Sequence, residues 1–230
     1  MGTLTLTHSP PISIAMQQLV RSPRLPVHVR ELQSLLQAER ARRERFYKEM
    51  SEEQKVEFIN GEVIVQSPAK LRHTTASRNL LTLLHIYVSK HNLGLVGHEK
   101  VLVTLTRNDY EPDIVYFGPE KAQSFTPDQM KFPAPDLVVE ILSPSTENND
   151  RGIKFLDYAA HGVAEYWIVD PDAEMVEQYV LEGEIYRLRV KTDTGVIRSL
   201  VIEGFAILAR AVFDETENIA VLRAMLGSDG

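Results

Sequence analysis

The spacing of apolar and polar positions changes several times along the chain, and each change predicts an element. Val56-Glu57-Phe58-Ile59 and Glu62-Val63-Ile64-Val65 are β-rich runs separated by Asn60-Gly61, a dipeptide that readily takes the positive φ values of a type I′ turn; together they predict a hairpin. Leu80, Leu81, Leu84 and Val88 recur at helical spacing, which predicts a helix from Lys70 to about His91, with Gly94 just beyond its end. Residues 95–105 and 112–117 read as two strands of a second hairpin around a polar turn at 107–109. Leu137 to Leu142 is a continuous apolar run broken by a single acid, and it predicts a buried strand ended by Pro144. Glu147 to Ala160 reads as helix, with Ser145 or Thr146 as N-cap and Gly162 at its end. Ala164 to Val169 is a further buried strand, followed by a hairpin of 175–181 and 184–190 around Gly183 and a last helix over 215–226.

Strand, helix and strand from Leu137 to Val169 form one βαβ unit, which predicts a right-handed parallel crossover. The earlier hairpins are expected to extend that sheet antiparallel, giving an α/β fold: a mixed sheet flanked by helices, with an additional C-terminal β-hairpin. Residues 1–27 are proline-rich and lack periodicity, so they read as an extended or poorly ordered arm. Leu32, Leu35 and Leu36, followed by a charged stretch, predict one or two solvated helices between His28 and Met50. Residues 28–230 are read as a single domain with its core at about 56–190.

The acid inside the buried strand is Glu140. Burying an ionised carboxylate costs several kcal/mol unless something compensates it, so this residue must be paired, protonated or holding a metal. Period-two alternation puts Asp136, Val138, Glu140 and Leu142 on one face, and Asp113 begins a neighbouring strand, so the two carboxylates Asp113 and Glu140 can converge. Two hard oxygen donors on adjacent strands suit magnesium, with waters and a phosphate completing its shell. Lys154, in the helix after the strand, is placed to turn its amine toward such a site, and Glu57 on the first hairpin is a further acid. His73 lies beside Lys70 and Arg72 and is a possible substrate contact; an uncommitted surface histidine is the plainer reading. Plainer readings exist for the others too: Asp113 as a loop residue, Lys154 in an exposed i−4 pair with Asp150, or Glu140 and Lys154 as an ion pair without metal.

Composition narrows the chemistry. The chain has no cysteine, which excludes disulfides and thiolate metal sites and leaves oxygen or imidazole ligands. A formal net charge of −7 argues against a broadly basic, nucleic-acid-coating surface, although basic residues are dense from Arg40 to Arg45 and at Lys70 and Arg72. No apolar run approaches the ~20 residues of a membrane span and the N-terminus lacks a secretory pattern, so a soluble, cytoplasmic protein is expected. Phosphate-loop, dinucleotide-binding and serine-hydrolase motifs are absent.

The runs Asp136-Leu-Val-Val-Glu-Ile-Leu-Ser-Pro-Ser-Thr146, Asp150-Arg-Gly-Ile-Lys154 and Gly162-Val-Ala-Glu-Tyr-Trp-Ile-Val-Asp-Pro171, with Tyr158 between them, resemble the Uma-two family of restriction-endonuclease-like proteins. Glu57-Phe-Ile-Asn-Gly-Glu62, Ser67-Pro68, His73 and Glu111-Pro-Asp113 fit it as well, so the resemblance covers about 56–190. It implies the fold of the PD-(D/E)XK nucleases, in which an aspartate and a glutamate bind magnesium and a lysine assists phosphodiester hydrolysis. On this chain it assigns the metal to Asp113 and Glu140, with Mg2+ or Mn2+ as cofactor. It assigns the lysine to Lys154, because Leu142 stands where the lysine two positions after the glutamate is usual. DNA as partner and substrate, and a homodimer suited to duplex cutting, follow from the same resemblance.

Overall fold

The computed structural model describes residues 13–51 and 54–227. The chain divides into two compact units, 1–49 and 50–230. In the first unit, helix α1 spans Ile14–Arg21 and helix α2 spans Leu25–Glu49. Residues 14–27, expected to be extended, are therefore largely helical. Ser13 caps α1 by accepting the Met16 N–H, and Pro23 falls in the break between the helices. Pro26 sits in the first turn of α2, where its missing N–H leaves no bond unmade. The remainder of the expected arm, residues 1–12, lies outside the described residues. The unit boundary falls near residue 50 rather than at 28.

The second unit opens with the expected hairpin, β1 (Val56–Ile59) and β2 (Glu62–Val65), turned by Asn60 and Gly61 at φ 51° and 87°. Helix α3 (Leu71–His91) follows and stops at Asn92 in the left-handed conformation. Strands β3 (Leu95–His98), β4 (Leu102–Thr104), β5 (Asp109–Tyr110) and β6 (Ile114–Phe117) replace the second expected hairpin. They nest rather than form one ladder: β3 pairs with β6, and β4 with β5 in a different sheet. Glu99 and Lys100, both at positive φ, turn the chain from one sheet to the other. Helix α4 (Pro119–Ala122) and strand β7 (Lys131–Phe132) lead to β8 (Leu137–Ile141).

The expected single crossover helix is two, α5 (Glu147–Asp150) and α6 (Ile153–Ala160). They break at Gly152, whose backbone lies so close to the Asn148 carbonyl that a Cβ would fall 2.5 Å from its oxygen. Strands β9 (Glu165–Asp170), β10 (Met175–Glu182) and β11 (Ile185–Thr192) match the expected strand and hairpin. A small hairpin, β12 (Val196–Arg198) and β13 (Ala206–Leu208), then helices α7 (Arg210–Phe213) and α8 (Glu215–Gly227), complete the unit.

The central sheet runs β11-β10-β9-β8-β6-β3; β8 and β9 are parallel and every other pairing is antiparallel, the mixed sheet expected from the βαβ unit. The first hairpin does not extend it. That hairpin belongs to a second sheet, β2-β1-β5-β4-β7. Alternation along β8 separates two cores: Leu137, Val139 and Ile141 pack with α3 residues such as Leu80 and Leu84, while Val138 and Leu142 pack with Tyr158 of α6 and Val103 of the second sheet. Each fully buried side chain of that size contributes roughly 1.5–3 kcal/mol. Those contributions are the background against which a buried Glu140 must be tolerated. Among the described residues, no helix is long and apolar enough to cross a membrane.

Candidate active site

Glu140 points to the α6 side of β8 and is 2% exposed. One turn apart on α6, Lys154 and Tyr158 both reach its Oε1, at 3.2 Å from Nζ and 3.3 Å from the hydroxyl that donates to it. The same ammonium lies 2.8 Å from Glu57 Oε1 and 3.0 Å from Asp150 Oδ1. Lys154 thus ties β1 of the second sheet, β8 of the central sheet and α5 together at a single charge. Asp150 and Lys154 are both 1% exposed, so their i−4 pair is not the solvated helix pair that spacing alone allowed.

Asp113 precedes β6. The antiparallel register of β6 and β8 sets Ile114 opposite Val139, and one further step sets Asp113 opposite Glu140. Its Oδ2 accepts the Ile141 N–H at 2.8 Å and lies 3.4 Å from His73 Nε2. Its Oδ1 is 2.6 Å from the ammonium of Lys55, a residue just before β1. That segment is clasped reciprocally: Glu111 accepts the Val56 N–H, and Glu57 accepts the Glu111 N–H. His73, on the first turn of α3, is mostly buried rather than a free surface histidine, and its Nδ1 is buried without a partner.

Electrostatics separate the two acids. Burial opposes ionisation of Asp113, but the Lys55 charge and the His73 hydrogen bond outweigh it and hold the carboxyl well below its usual range. For Glu140, burial is the largest influence and pushes the pKa up; Lys154 opposes it, but Asp150, Asp113 and Glu57 add repulsion, and the result stays well above the usual value. Lys154 is penalised by burial, yet Glu140, Glu57 and Asp150 together keep it protonated. Four acids, Glu57, Asp113, Glu140 and Asp150, surround two lysines, a formal surplus of two negative charges.

Lys55, Asp113, Glu140 and Lys154 line a cleft of about 720 Å³, together with His73, Lys70 and the Ser143–Thr146 loop. The structure therefore brings Asp113, Glu140, Lys154 and Glu57 together, with His73 beside Asp113. Sequence reasoning did not single out Lys55, Glu111 or Asp150 as members. The signal for Lys55 was its position two residues before Glu57, because alternate residues of extended chain share a face. Glu99 lines the same cleft and its N–H donates to the Asp113 carbonyl at 3.1 Å, whereas His98 Nε2 lies 3.1 Å from Ser77 Oγ.

A mixed sheet with a parallel βαβ core, flanked by helices, is the architecture of the restriction-endonuclease-like fold. A crystal structure described as "a putative nuclease" from Anabaena variabilis shares this fold at TM-score 0.64; the alignment covers 73% of this chain and 94% of that one, at 19% identity. The chain belongs to the Uma2 family, described as "Putative restriction endonuclease", whose pattern matches residues 42–211. Two uncharacterized proteins of Synechocystis sp. are each 28% identical to it over 134 residues, which is 57% of this chain and 75% and 68% of theirs.

Proposed function

We propose that the chain is a metal-dependent endonuclease that hydrolyses phosphodiester bonds of DNA, with Asp113 and Glu140 holding a divalent cation. The observation that carries this reading is the convergence of those two carboxylates on one cleft above a buried lysine. The donor set fits a hard cation. Asp113 already holds an ammonium on Oδ1, and Glu140 Oε2 accepts no hydrogen bond from the described residues yet is not among the buried unpartnered atoms. Among the described residues no three His, Asp or Glu groups form a complete nest, so backbone, water and substrate oxygens must supply the rest of the shell, as magnesium commonly allows. Manganese is the expected substitute.

A divalent cation held by Asp113 and Glu140 would supply Lewis-acid polarisation of the phosphate and would lower the pKa of a water bound to it. Hydrolysis forms one P–O bond to the water oxygen and breaks one ester P–O bond, and a proton lost by the water is balanced by one gained on the departing alkoxide. Asp113, kept ionised by Lys55 and His73, and Glu140, held by Lys154 and Tyr158 and favoured as a carboxylate once a cation offsets its burial, would supply the oxygen ligands. Lys154 and Glu57 are positioning residues that lock the acids from beneath. His73 flanks the phosphate position as a substrate contact. A homodimer working in the cytoplasm suits duplex cleavage and belongs to the same proposal.

The test is cleavage of labelled single-stranded, duplex and branched DNA, with RNA alongside, in Mg2+ or Mn2+. Activity should disappear in chelator and fall at least a thousandfold in Asp113→Ala and Glu140→Ala. Cleavage persisting in both variants removes these residues from the mechanism. A second reading, a nuclease fold that binds without hydrolysis, draws on the complete enclosure of Lys154 by three carboxylates. It expects nucleic-acid binding with no turnover under any metal.

A further inference from the structure

We infer that Lys55, not Lys154, is the lysine that meets the substrate phosphate, and that in the absence of metal its ammonium serves as the counter-ion of Asp113. The inference rests on the nuclease reading above and names a residue that the family resemblance did not assign.

The two lysines differ in every respect that governs reach. Lys154 is rooted in the first turn of α6, is 1% exposed and is engaged by Glu57, Glu140 and Asp150. Moving its amine toward a phosphate would leave three buried acids facing one another without a cation, which is costly. Lys55 sits on the short connection ahead of β1, its side chain is 19% exposed and lines the cleft, and among the described residues its carboxylate partner within ion-pair distance is Asp113. The peptide that follows it is fixed at both its groups, by the Gln66 N–H donating to the Lys55 carbonyl and by Glu111 accepting the Val56 N–H, so the flexible part is the four-carbon stem.

The 2.6 Å contact places the ammonium against Oδ1 of Asp113, an acid proposed as a metal ligand. A divalent cation on Asp113 and the Lys55 ammonium compete for that oxygen and repel each other. Once Asp113 is taken, the lysine is released within the same cleft. The strongest anion available to it there is the phosphate of a bound strand. Lys55 therefore alternates between two anions, stabilising Asp113 first and the charge that builds on phosphate afterwards.

The experiment measures Mn2+ binding to the full chain from the loss of the free-ion paramagnetic resonance signal, and single-turnover cleavage of a labelled DNA duplex, for wild type, Lys55→Met, Lys55→Arg and Asp113→Ala. Lys55→Met is expected to bind Mn2+ at least threefold more tightly, because its competitor is gone, and to cleave at least a hundredfold more slowly. Lys55→Arg should retain intermediate cleavage. Cleavage by Lys55→Met within threefold of wild type, or weaker Mn2+ binding by that variant, overturns the inference. If wild type binds Mn2+ through Asp113 and Lys55→Met tightens it but nothing is cleaved, the nuclease reading and the phosphate role fall while the counter-ion role stands. If neither protein binds Mn2+, both readings fall.

Discussion

Two buried glutamates on adjacent parallel strands, Glu140 of β8 and Glu165 of β9, meet opposite treatment. Glu165 is 0% exposed, and its two oxygens accept from neutral donors throughout: Trp167 Nε1, Gln178 Nε2, the Ser199 hydroxyl and the Leu200 and Val201 N–H groups. Among the described residues it has no lysine or arginine partner, and it does not line the cleft. It functions as a clamp that pins the segment after β12 to the central sheet. Glu140 is under-satisfied by comparison: it shares one lysine with two other acids, takes one weak tyrosine bond, and opens on a cavity. Burial alone does not distinguish a structural acid from a functional one. Saturation with hydrogen-bond donors does.

The contrast can be broken or sharpened by substitution. The largest effect is expected from Lys154→Met, which leaves Glu57, Glu140 and Asp150 without their common cation; thermal unfolding should show a loss of about 3–5 kcal/mol. A loss below 1 kcal/mol would mean that the acids are neutral in the metal-free protein and that the lysine ties nothing together. Next, Glu165→Gln turns an acceptor into a donor against groups that all donate, and should cost about 2–3 kcal/mol without touching the cleft. Glu140→Gln should behave in the opposite sense, unchanged or stabilised by about 1 kcal/mol in metal-free buffer, because it removes an under-compensated charge. Mn2+ should then raise the melting temperature of wild type but not of this variant. Equal destabilisation by both glutamate substitutions would erase the distinction between them.

The smallest effect concerns a third buried acid, on β10. Burial disfavours the Glu177 carboxylate, but bonds from Arg151, Tyr179 and Lys191 overcome that and bring its pKa down to about 2. A folded-state pKa below the unfolded value near 4.5 contributes stability that is present above that value and lost as pH falls toward 2. Glu177→Gln should therefore melt lower than wild type at neutral pH, and the gap should close between about pH 4.5 and 2. A gap independent of pH would assign the difference to packing rather than charge.

Much of the fold was legible in the chain. The Asn60-Gly61 turn, the α3 periodicity, the βαβ unit and the β10–β11 hairpin depend on local backbone preference and on burial patterns that short windows reveal. The partition of strands between two sheets was not legible, because it depends on the turn at Glu99 and Lys100, neither of which is a residue that announces positive φ. The helix expected between His28 and Met50 is the bulk of α2, whereas α1 and the first turn of α2 were missed because residues 1–27 were read as a proline-rich arm, although Pro26 occupies the one part of a helix that tolerates proline.

By itself, then, the sequence determined that an acid lies in a buried strand, that a second acid begins a neighbouring strand, and that a lysine follows one helix later, since alternation and element order are local properties. Only the tertiary structure decided which charges meet. Lys154 was drawn under three acids from separate elements, and Lys55, unremarkable along the chain, was brought 58 residues across to Asp113. Coulomb interactions act through space and depend on burial, so the partner of a charge is fixed by the packing of sheets and helices rather than by distance along the backbone.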